Sequence, residues 1–502
     1  MDYILAHDVG TSGCKAVIIN TCGQVIASAY ETYPTSFSYS LWAEQEPEDW
    51  WQAVIKATQS VLHSSGVRPE QILSISFSTQ MVNALPLDGD GKPLRPCINW
   101  LDGRAWEQAH AVMAKLGGPR IFAGLFGTAI TGKDLIPKYI WLKEKEPQVY
   151  QRASAIVDVS SYLLLCATNR LVYEWTCASV TGLFNLKSKN WDTTGIRLFG
   201  LDKSKFPELV QSSERVGGLT AKAARQLGLL EGTPVFGGAG DAMAAAVGSG
   251  AVKDGEGHLC LGTSGFVGIV TSKKFTGRRG IVFMQSADPN KLLLIAEMET
   301  AGACLLWAVK ELFGLEPHAE ALAYMDSQVA NTAAGSGNLI FTPWMYGERC
   351  PIADESVRAS FINLSSKHTH QQMARAIYEG VAYNFRWTLE SIADLYGLHP
   401  DPLRVVGGGA KGIPWLKIIC DITGRSLESV PHVQSTSAVG AGLLAAVGLG
   451  LYPSLESLKE LVPVDHAVSP DFSSSDTYDR LYTVYRQVYK SLKGLHHDLN
   501  QA

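Results

Sequence analysis

The chain has 502 residues, 46% of them hydrophobic and 18% charged, with a formal net charge of −5. That length exceeds what one core can organise and asks for two large domains. The lack of a basic excess argues against a nucleic-acid partner. Nine cysteines with no Cys-x-x-Cys and no regular spacing argue against a disulfide framework or a zinc site.

The chain opens with strand-like Asp2-Tyr3-Ile4-Leu5, not with basic residues followed by a long apolar run. Its most apolar segment, Ala438 to Tyr452, is short and rich in glycine, which suits a buried helix better than a membrane span. A cytoplasmic protein without a membrane segment is expected.

The first half is expected to begin as a β-meander over Tyr3–Asp8, Cys14–Asn20 and Gln24–Tyr33. Glu46-Pro47-Glu48-Asp49 then starts a helix, because proline and acidic residues suit the exposed amides of a first turn. Trp50, Val54, Ala57 and Val61 continue it at helical spacing. A strand over Ile72–Ser78 ends at Thr79-Gln80-Met81. Beyond the turn Asp88-Gly89-Asp90-Gly91 come Ile98 to Arg104, a helical stretch Pro137–Lys145, and a strand-then-helix stretch Ala155–Cys166.

The second half repeats this plan. His258–Leu261, Phe266–Thr271 and Ile281–Gln285 form a second meander, followed by Leu292–Met298 and helical material around Ala301–Phe313. Arg404-Val405-Val406 then runs through three glycines to a helix over Trp415–Thr423. The expected domains are 1–252 and 253–502, divided near Val252-Lys253-Asp254-Gly255. The fold class is α/β, a duplicated architecture in which meanders feed mixed sheets packed by helices. Ligands in such sheets sit where loops leave strand ends, here in an interdomain cleft.

Each half opens with the same phrase, Gly10-Thr11-Ser12-Gly13 and Gly262-Thr263-Ser264-Gly265. Both follow an apolar run and lead into a β-branched segment. A sharp turn of this kind exposes consecutive N–H groups and favours phosphate. Asp8 stands just before the first turn, with Val9 between. A carboxylate beside a triphosphate repels it unless a cation intervenes, so Asp8 reads as a Mg²⁺ ligand. Lys15, just past the turn, is within reach of a phosphate or of solvent.

Val235-Phe236-Gly237-Gly238-Ala239-Gly240-Asp241 is the sharpest single-site signal. A strand ends in small residues, and Asp241 opens an Ala-rich helix. Aspartate is a preferred helix cap, but a cap alone does not ask for four small residues, whereas a site admitting a hydroxyl and a γ-phosphoryl group does. The helix terminus lowers the basicity of this carboxylate. Phosphoryl transfer tolerates a weak base because its loose transition state needs little prior deprotonation. Asp241 is therefore the expected catalytic base.

Gly407-Gly408-Gly409-Ala410-Lys411-Gly412 matches G-x-G-x-x-G after a strand, and Glu428 follows 19 residues past Gly409. A dinucleotide site is one reading; a turn accepting adenosine and an α-phosphate fits better with the two phosphate turns. No Walker A motif is present. Pro343-Trp344-Met345-Tyr346-Gly347-Glu348-Arg349 either borders a nucleotide or is a buried turn. Met81 and Trp100, near strand ends, could line a sugar pocket or simply pack in the core.

The chain resembles the FGGY carbohydrate kinases over essentially its whole length, most closely the xylulokinases among them. The resemblance rests on Asp8 to Gly13, Leu41-Trp42-Ala43-Glu44-Gln45-Glu46-Pro47-Glu48-Asp49-Trp50-Trp51, Asp102-Gly103-Arg104, Pro137-Lys138-Tyr139-Ile140-Trp141, Gly240-Asp241, Leu261 to Gly265, Gly347-Glu348-Arg349 and Gly407 to Ala410. It implies an actin/hexokinase-like fold of two ribonuclease-H-like domains and ATP- and Mg²⁺-dependent phosphorylation of a sugar or polyol. It puts Asp241 at the catalytic base, Asp8 on the metal side, and Gly262, Thr263, Gly408, Gly409 and Ala410 on the nucleotide side. Thr11, Ser12 and Lys15 then face phosphate, while Met81, Val82, Asn83 and Trp100 face the sugar beside Asp241. ATP is expected mainly on the second half and the sugar on the first, with domain closure excluding water. A homodimer is compatible with this picture.

The departures fall where specificity is set. Val82-Asn83 stands where xylulokinases typically carry His-Gly, and Ala242 and Leu101 replace typical asparagines. Lost donors and acceptors weaken discrimination among sugars. D-Xylulose is the expected acceptor. Another ketose or a polyol is the alternative, Asn83 is a candidate replacement contact, and a nicotinamide-dependent dehydrogenase and a non-enzymatic sugar sensor remain as more distant readings.

Overall fold

The opening meander is present in the computed structural model of the protein, which describes residues 2–126 and 129–500. β1 (Tyr3–Val9) and β2 (Gly13–Asn20) are buried along almost their whole length, while β3 (Val25–Thr32) alternates between half-buried and exposed residues. Strands buried on both faces read as unbroken apolar runs, and a strand with one wet face alternates. Accordingly β3 lies at the sheet edge. The order is β5 (Arg215–Gly218), β6 (Pro234–Phe236), β4 (Ile72–Thr79), β1, β2, β3, with the short β7 (Ala239–Gly240) also paired to β4.

By internal contacts the chain forms two units. The first comprises Met1–Val252, Met284–Leu293 and Ser435–Val462; the second comprises Lys253–Phe283, Leu294–Gln434 and Pro463–Ala502. The first unit thus takes up the apolar helix Thr436–Gly448, which is buried almost throughout. It crosses the helix Asp241–Gly248 at two glycines. A Cβ on Gly440 would lie 1.9 Å from the Ala244 carbonyl oxygen, and one on Gly248 would lie 1.9 Å from that of Thr436. Only hydrogen fits between these backbones, so the two helices are held at a fixed close approach.

In the second unit β8 (Gly257–Leu261) pairs antiparallel with β9 (Gly265–Thr271) and parallel with β12 (Leu403–Val406). The full order is β10 (Ile281–Gln285), β11 (Leu292–Met298), β9, β8, β12, β13 (Leu427–Ser429), β14 (His466–Val468). This corrects the expected second meander, because β11 rather than β10 lies beside β9. The apolar run of β11 is buried in six of its seven residues, whereas the middle of β10 is only half-buried. The more apolar strand takes the interior place and the other the edge.

Each sheet has its own apolar core, with Trp50, Phe77 and Tyr139 among the buried groups of the first and Trp344, Tyr378 and Trp415 among those of the second. Among the described residues no helix is long and apolar enough to cross a membrane.

Candidate active site

β1 and β2 are joined by Gly10-Thr11-Ser12 alone, closed by a bond from the Gly10 N–H to the Gly13 carbonyl at 3.0 Å. The two glycines of the phrase answer to different constraints. A Cβ on Gly13 would sit 2.4 Å from the Glu31 carbonyl oxygen, so the packing of β3 demands glycine there. A Cβ on Gly10 would meet nothing nearer than 3.9 Å, and Ser12 is exposed, so the open side of the turn lies at Gly10 to Ser12. Thr11 is anchored twice: its carbonyl accepts from Gln45 Nε2 at 2.7 Å and its hydroxyl from Trp100 Nε1 at 2.9 Å.

Asp8 faces Lys15 across the β1–β2 ladder and Ser78 across the β1–β4 ladder. Its Oδ1 accepts from the Ser78 hydroxyl at 3.0 Å. Burial pushes the Asp8 carboxyl above the usual carboxylate range, against the opposing pull of Ser78 and Lys15. Its charge is thus costly as it stands, the condition in which a nearby cation is most welcome.

The segment after β4 and the segment Asn99 to Arg104 are sewn together by amides. Gln45 Oε1 accepts from Trp50 Nε1, Gln80 Nε2 and Asn99 Nδ2 at 3.1, 2.7 and 3.1 Å. Its Nε2 donates to Thr35 as well as to Thr11. The contact expected of Asn83 is not offered. Asn83 is fully buried, its Nδ2 donates to the carbonyls of Gln80 and Met81, and its Oδ1 accepts from the Trp100 N–H at 3.1 Å. It shapes the loop instead of facing outward. Met81, Val82 and Trp100 are all half-buried, and Val82 has a left-handed backbone, φ 63°. Asp102 and Arg104 form a closed knot, with the guanidinium bound to Asp102 and Glu44 and lying 3.6 Å from the Trp42 ring centroid.

Asp241 is the first residue of its helix, and Gly240, not Asp241, occupies the cap position. Its Oδ1 accepts from the Ala242 N–H at 2.7 Å, so it takes up a free amide of the first turn all the same. The small residues before it have another cause than room for substrate. Gly238 (φ 73°) runs so close to β4 that a Cβ would lie 1.9 Å from the Phe77 carbonyl oxygen; one on Gly237 would lie 2.4 Å from that of Gln211. A Cβ on Gly240 would lie 2.1 Å from the Met81 sulfur. The glycines bring the strand onto β4 and seat Met81 against Gly240, the residue before Asp241. Behind them, Gly240 N–H donates to Thr176 Oγ1 at 2.8 Å, and Glu174 gathers Thr176, Cys177 and Ser212. Burial pushes the Glu174 carboxyl up to about 7.

β7 runs parallel to β4, with Ala239 opposite Ser78, and Ser78 is also opposite Asp8. Two strand spacings, roughly 10 Å, therefore separate Asp8 from the chain that leads into Asp241. One sheet end carries Asp8, Met81 and Asp241.

In the second unit, Gly262-Thr263 and Gly407 to Ala410 leave the C-terminal ends of the neighbouring parallel strands β8 and β12. The Gly262 and Thr263 carbonyls accept from Ala301, Gly302 and Ala303 at 2.9–3.0 Å, capping the helix Gly302–Glu311. Gly407 (φ 89°) and Gly409 are forced by contact with Leu261 and Trp415, Ala410 is buried, and Gly408 is open. This loop enters a 3₁₀ turn, Gly408–Lys411, before the helix Ile413–Thr423 begins. Glu428 pairs with Arg404 on the adjacent strand at 3.2 Å. A dinucleotide fingerprint leads directly into a helix and leaves its acid for a ribose; neither holds here. Glu348 is buried and accepts from the Glu299 and Arg349 amides and Asn384, which makes its segment a structural turn.

The model of the FGGY family of carbohydrate kinases, N-terminal domain, matches residues 3–248, and that of its C-terminal domain matches residues 257–449. A xylulose kinase of Staphylococcus epidermidis is 31% identical, covering 99% of this chain and 98% of that protein. The chain belongs to the FGGY family of carbohydrate kinases. It is also similar to a gluconokinase of Bacillus subtilis, 28% identical over 98% of this chain and 96% of that one. Among solved structures it is similar to a ligand-bound xylulose kinase of Lactobacillus acidophilus, with a TM-score of 0.91, 25% identity and full coverage of both chains. As an FGGY member the chain has the two-domain actin/hexokinase-like fold with two mixed sheets, and is a phosphotransferase acting on a carbohydrate with ATP as phosphate donor. The sequence assigns Gln80 and Asn99 no role beyond their place in the chain, and Gln45 and Lys138 none beyond their place in longer phrases. An amide or ammonium group whose partners are distant in the chain leaves no local pattern to read.

Proposed function

We propose that the protein transfers the γ-phosphoryl group of ATP to a hydroxyl of D-xylulose, giving D-xylulose 5-phosphate and ADP. The substrate rests on the full-length similarity to proteins named xylulose kinase. The chemistry rests on the seating of Gly240 against Met81, which sets Asp241 beside the segment proposed to hold the sugar. Met81, Val82 and Trp100 present apolar surface to the carbon chain, while Asn83 fixes their loop. Asp241, its Oδ1 steadied by the Ala242 amide, orients the acceptor hydroxyl. It takes the hydroxyl proton as the new O–P bond forms and the bond to ADP breaks.

Thr11, Ser12 and Lys15 receive the transferring phosphate at the open side of the first turn. Gly262 and Thr263 with Gly408, Gly409 and Ala410 hold the nucleotide. Among the described residues no group of three or more His, Cys, Asp or Glu could hold a metal ion. A Mg²⁺ held by one carboxylate, water and substrate phosphates fits that finding, and Asp8, whose ionisation burial penalises, fits as that carboxylate. When bound, the ion neutralises charge on the phosphates.

An ADP-release assay over D-xylulose, D-ribulose, gluconate, erythritol and glycerol tests the substrate. The highest kcat/KM is expected for D-xylulose, and a higher value for any other acceptor overturns that part. Near-wild-type turnover by Asp241→Ala overturns the mechanism. A polyhydroxy acid is the second reading, favoured by the similarity to gluconokinase and by Val82, Leu101 and Ala242 where xylulokinases typically carry polar groups.

A further inference from the structure

One ammonium group in the first unit has no place in the chemistry just described. Lys138 lies in the helix Leu135–Lys145 and is fully buried. Its Nζ donates to the Val82 carbonyl at 3.1 Å and to the Asn99 carbonyl at 2.8 Å. Among the described residues no carboxylate pairs with it. The nearest charges, Asp102 and Asp134, act on it electrostatically without touching it. Burying a cation on two backbone carbonyls is a costly way to fill space, which methionine would fill without penalty.

The two carbonyls tell what the charge is for. Val82 is a β-branched residue in left-handed backbone conformation, which such residues avoid. Backbone strain of that kind persists only where the surroundings enforce it. Asn99 directly precedes Trp100, and Val82 directly follows Met81. The Asn83 side chain bridges the same two segments from its own side, accepting from the Trp100 N–H. Lys138 is thus a second tie between the segments, placed at the strained residue.

We propose that Lys138 is a positioning residue for the acceptor sugar, its buried ammonium clamping the Val82 and Asn99 carbonyls so that Met81 and Trp100 keep a fixed separation. This deepens the kinase reading and rests on it for the identity of the ligand, but the clamp can be tested without any sugar.

Burial pushes the Lys138 ammonium down to about 8, against Asp102, Asp134 and Cys97, with Arg104 adding to the fall. The charge is present below that pH and lost above it. In the wild type the KM for the acceptor is expected to rise above about pH 8 while the KM for ATP stays flat. In Lys138→Met the acceptor KM is expected to be raised about 10- to 100-fold, with the ATP KM within about twofold and the pH dependence of the acceptor KM gone. Hydrogen exchange, read without substrate, should show lost protection in Lys138→Met over 79–84 and 97–102.

A variant whose acceptor and ATP KM values move together, or whose exchange in those segments matches the wild type, overturns the proposal. If Lys138→Met does not fold, Lys138→Arg, which keeps the charge but not the compact ammonium between two carbonyls, takes its place, and an acceptor KM and an exchange pattern over 79–84 and 97–102 equal to those of the wild type overturn it. If the wild type phosphorylates no sugar, the kinase reading fails by itself, and hydrogen exchange still decides whether the clamp exists.

Discussion

The first and second glycine-threonine turns are the same four residues in two different settings. Both have an open first glycine, Gly10 or Gly262, and a last glycine pinned by packing: Gly13 by the Glu31 carbonyl, Gly265 by Phe385 and Ala301. What flanks them differs. Two residues before the first turn stands Asp8, facing Lys15 and Ser78; two residues before the second stands Cys260, facing Phe266. The first turn is anchored by the side chains of Gln45 and Trp100, the second by the backbone of a helix start. The same turn thus sits beside a buried carboxylate, a lysine and a serine in one unit and beside a thiol and an aromatic ring in the other, a difference that predicts unequal roles for the two.

The sharpest way to break this comparison is to remove the chemistry from each setting. Asp8→Asn is expected to lower kcat about 10²- to 10³-fold, the scale for losing a charge-stabilising group, and to raise the Mg²⁺ concentration needed for half activity. Cys260→Ala should change kcat by less than about twofold. Equal losses in steady-state assays would mean that the two turns share the work.

The glycines allow a second separation, between binding and folding. Gly10→Ala and Gly262→Ala meet no forbidden φ and little steric conflict. Each should raise the KM for ATP, by about tenfold if one phosphate contact is lost, with an unchanged melting temperature. Gly13→Ala and Gly265→Ala force overpacking and should cost about 1–3 kcal/mol of stability. Thermal melts beside the kinetics show whether the two classes divide as stated.

Trp100→Phe probes the side-chain anchor of the first turn. It keeps an aromatic face for the sugar but loses the bond to the Thr11 hydroxyl. The KM for ATP should rise by about 2- to 10-fold, the worth of one ordinary hydrogen bond, while that for the sugar, whose loop Lys138 still clamps, stays within about twofold. A change in the sugar value alone would break the link between turn and loop.

The first meander, the two glycine turns and the helix that opens at Asp241 were legible because apolar periodicity and short phrases are local. The sequence misled where the cause of a residue is remote. Gly237, Gly238 and Gly240 look like space for a ligand, yet Gln211, Phe77 and Met81 fill that space. Asn83 looks like a replacement for a lost histidine, yet the Gln80, Met81 and Trp100 backbones consume its amide. The place of β11 beside β9 follows from competition between two strands for the interior, which neither strand shows alone. Lys138 sits in a stretch expected to be helical, but nothing nearby in the chain marks the carbonyls it holds.

The smallest effect concerns a resemblance between the units rather than a difference. Each buries a glutamic acid with a raised pKa, Glu174 in the first and Glu348 in the second. Burial lifts Glu348 from 4.5 to about 8, with the like charge of Glu299 adding to the rise against its hydrogen bonds. Between those values an unfolded chain has released a proton that the folded one still holds. Stability therefore falls as pH climbs from about 4.5 to about 8 and levels off above. Glu348→Gln removes that contribution, so the loss of melting temperature over this range should shrink by several degrees, each 1 kcal/mol being worth about 2–4 °C in a unit of this size. Glu174→Gln should flatten the curve less, since no neighbouring carboxylate contributes to its shift. Equal flattening by both would assign the effect to burial alone and remove Glu299 from the account.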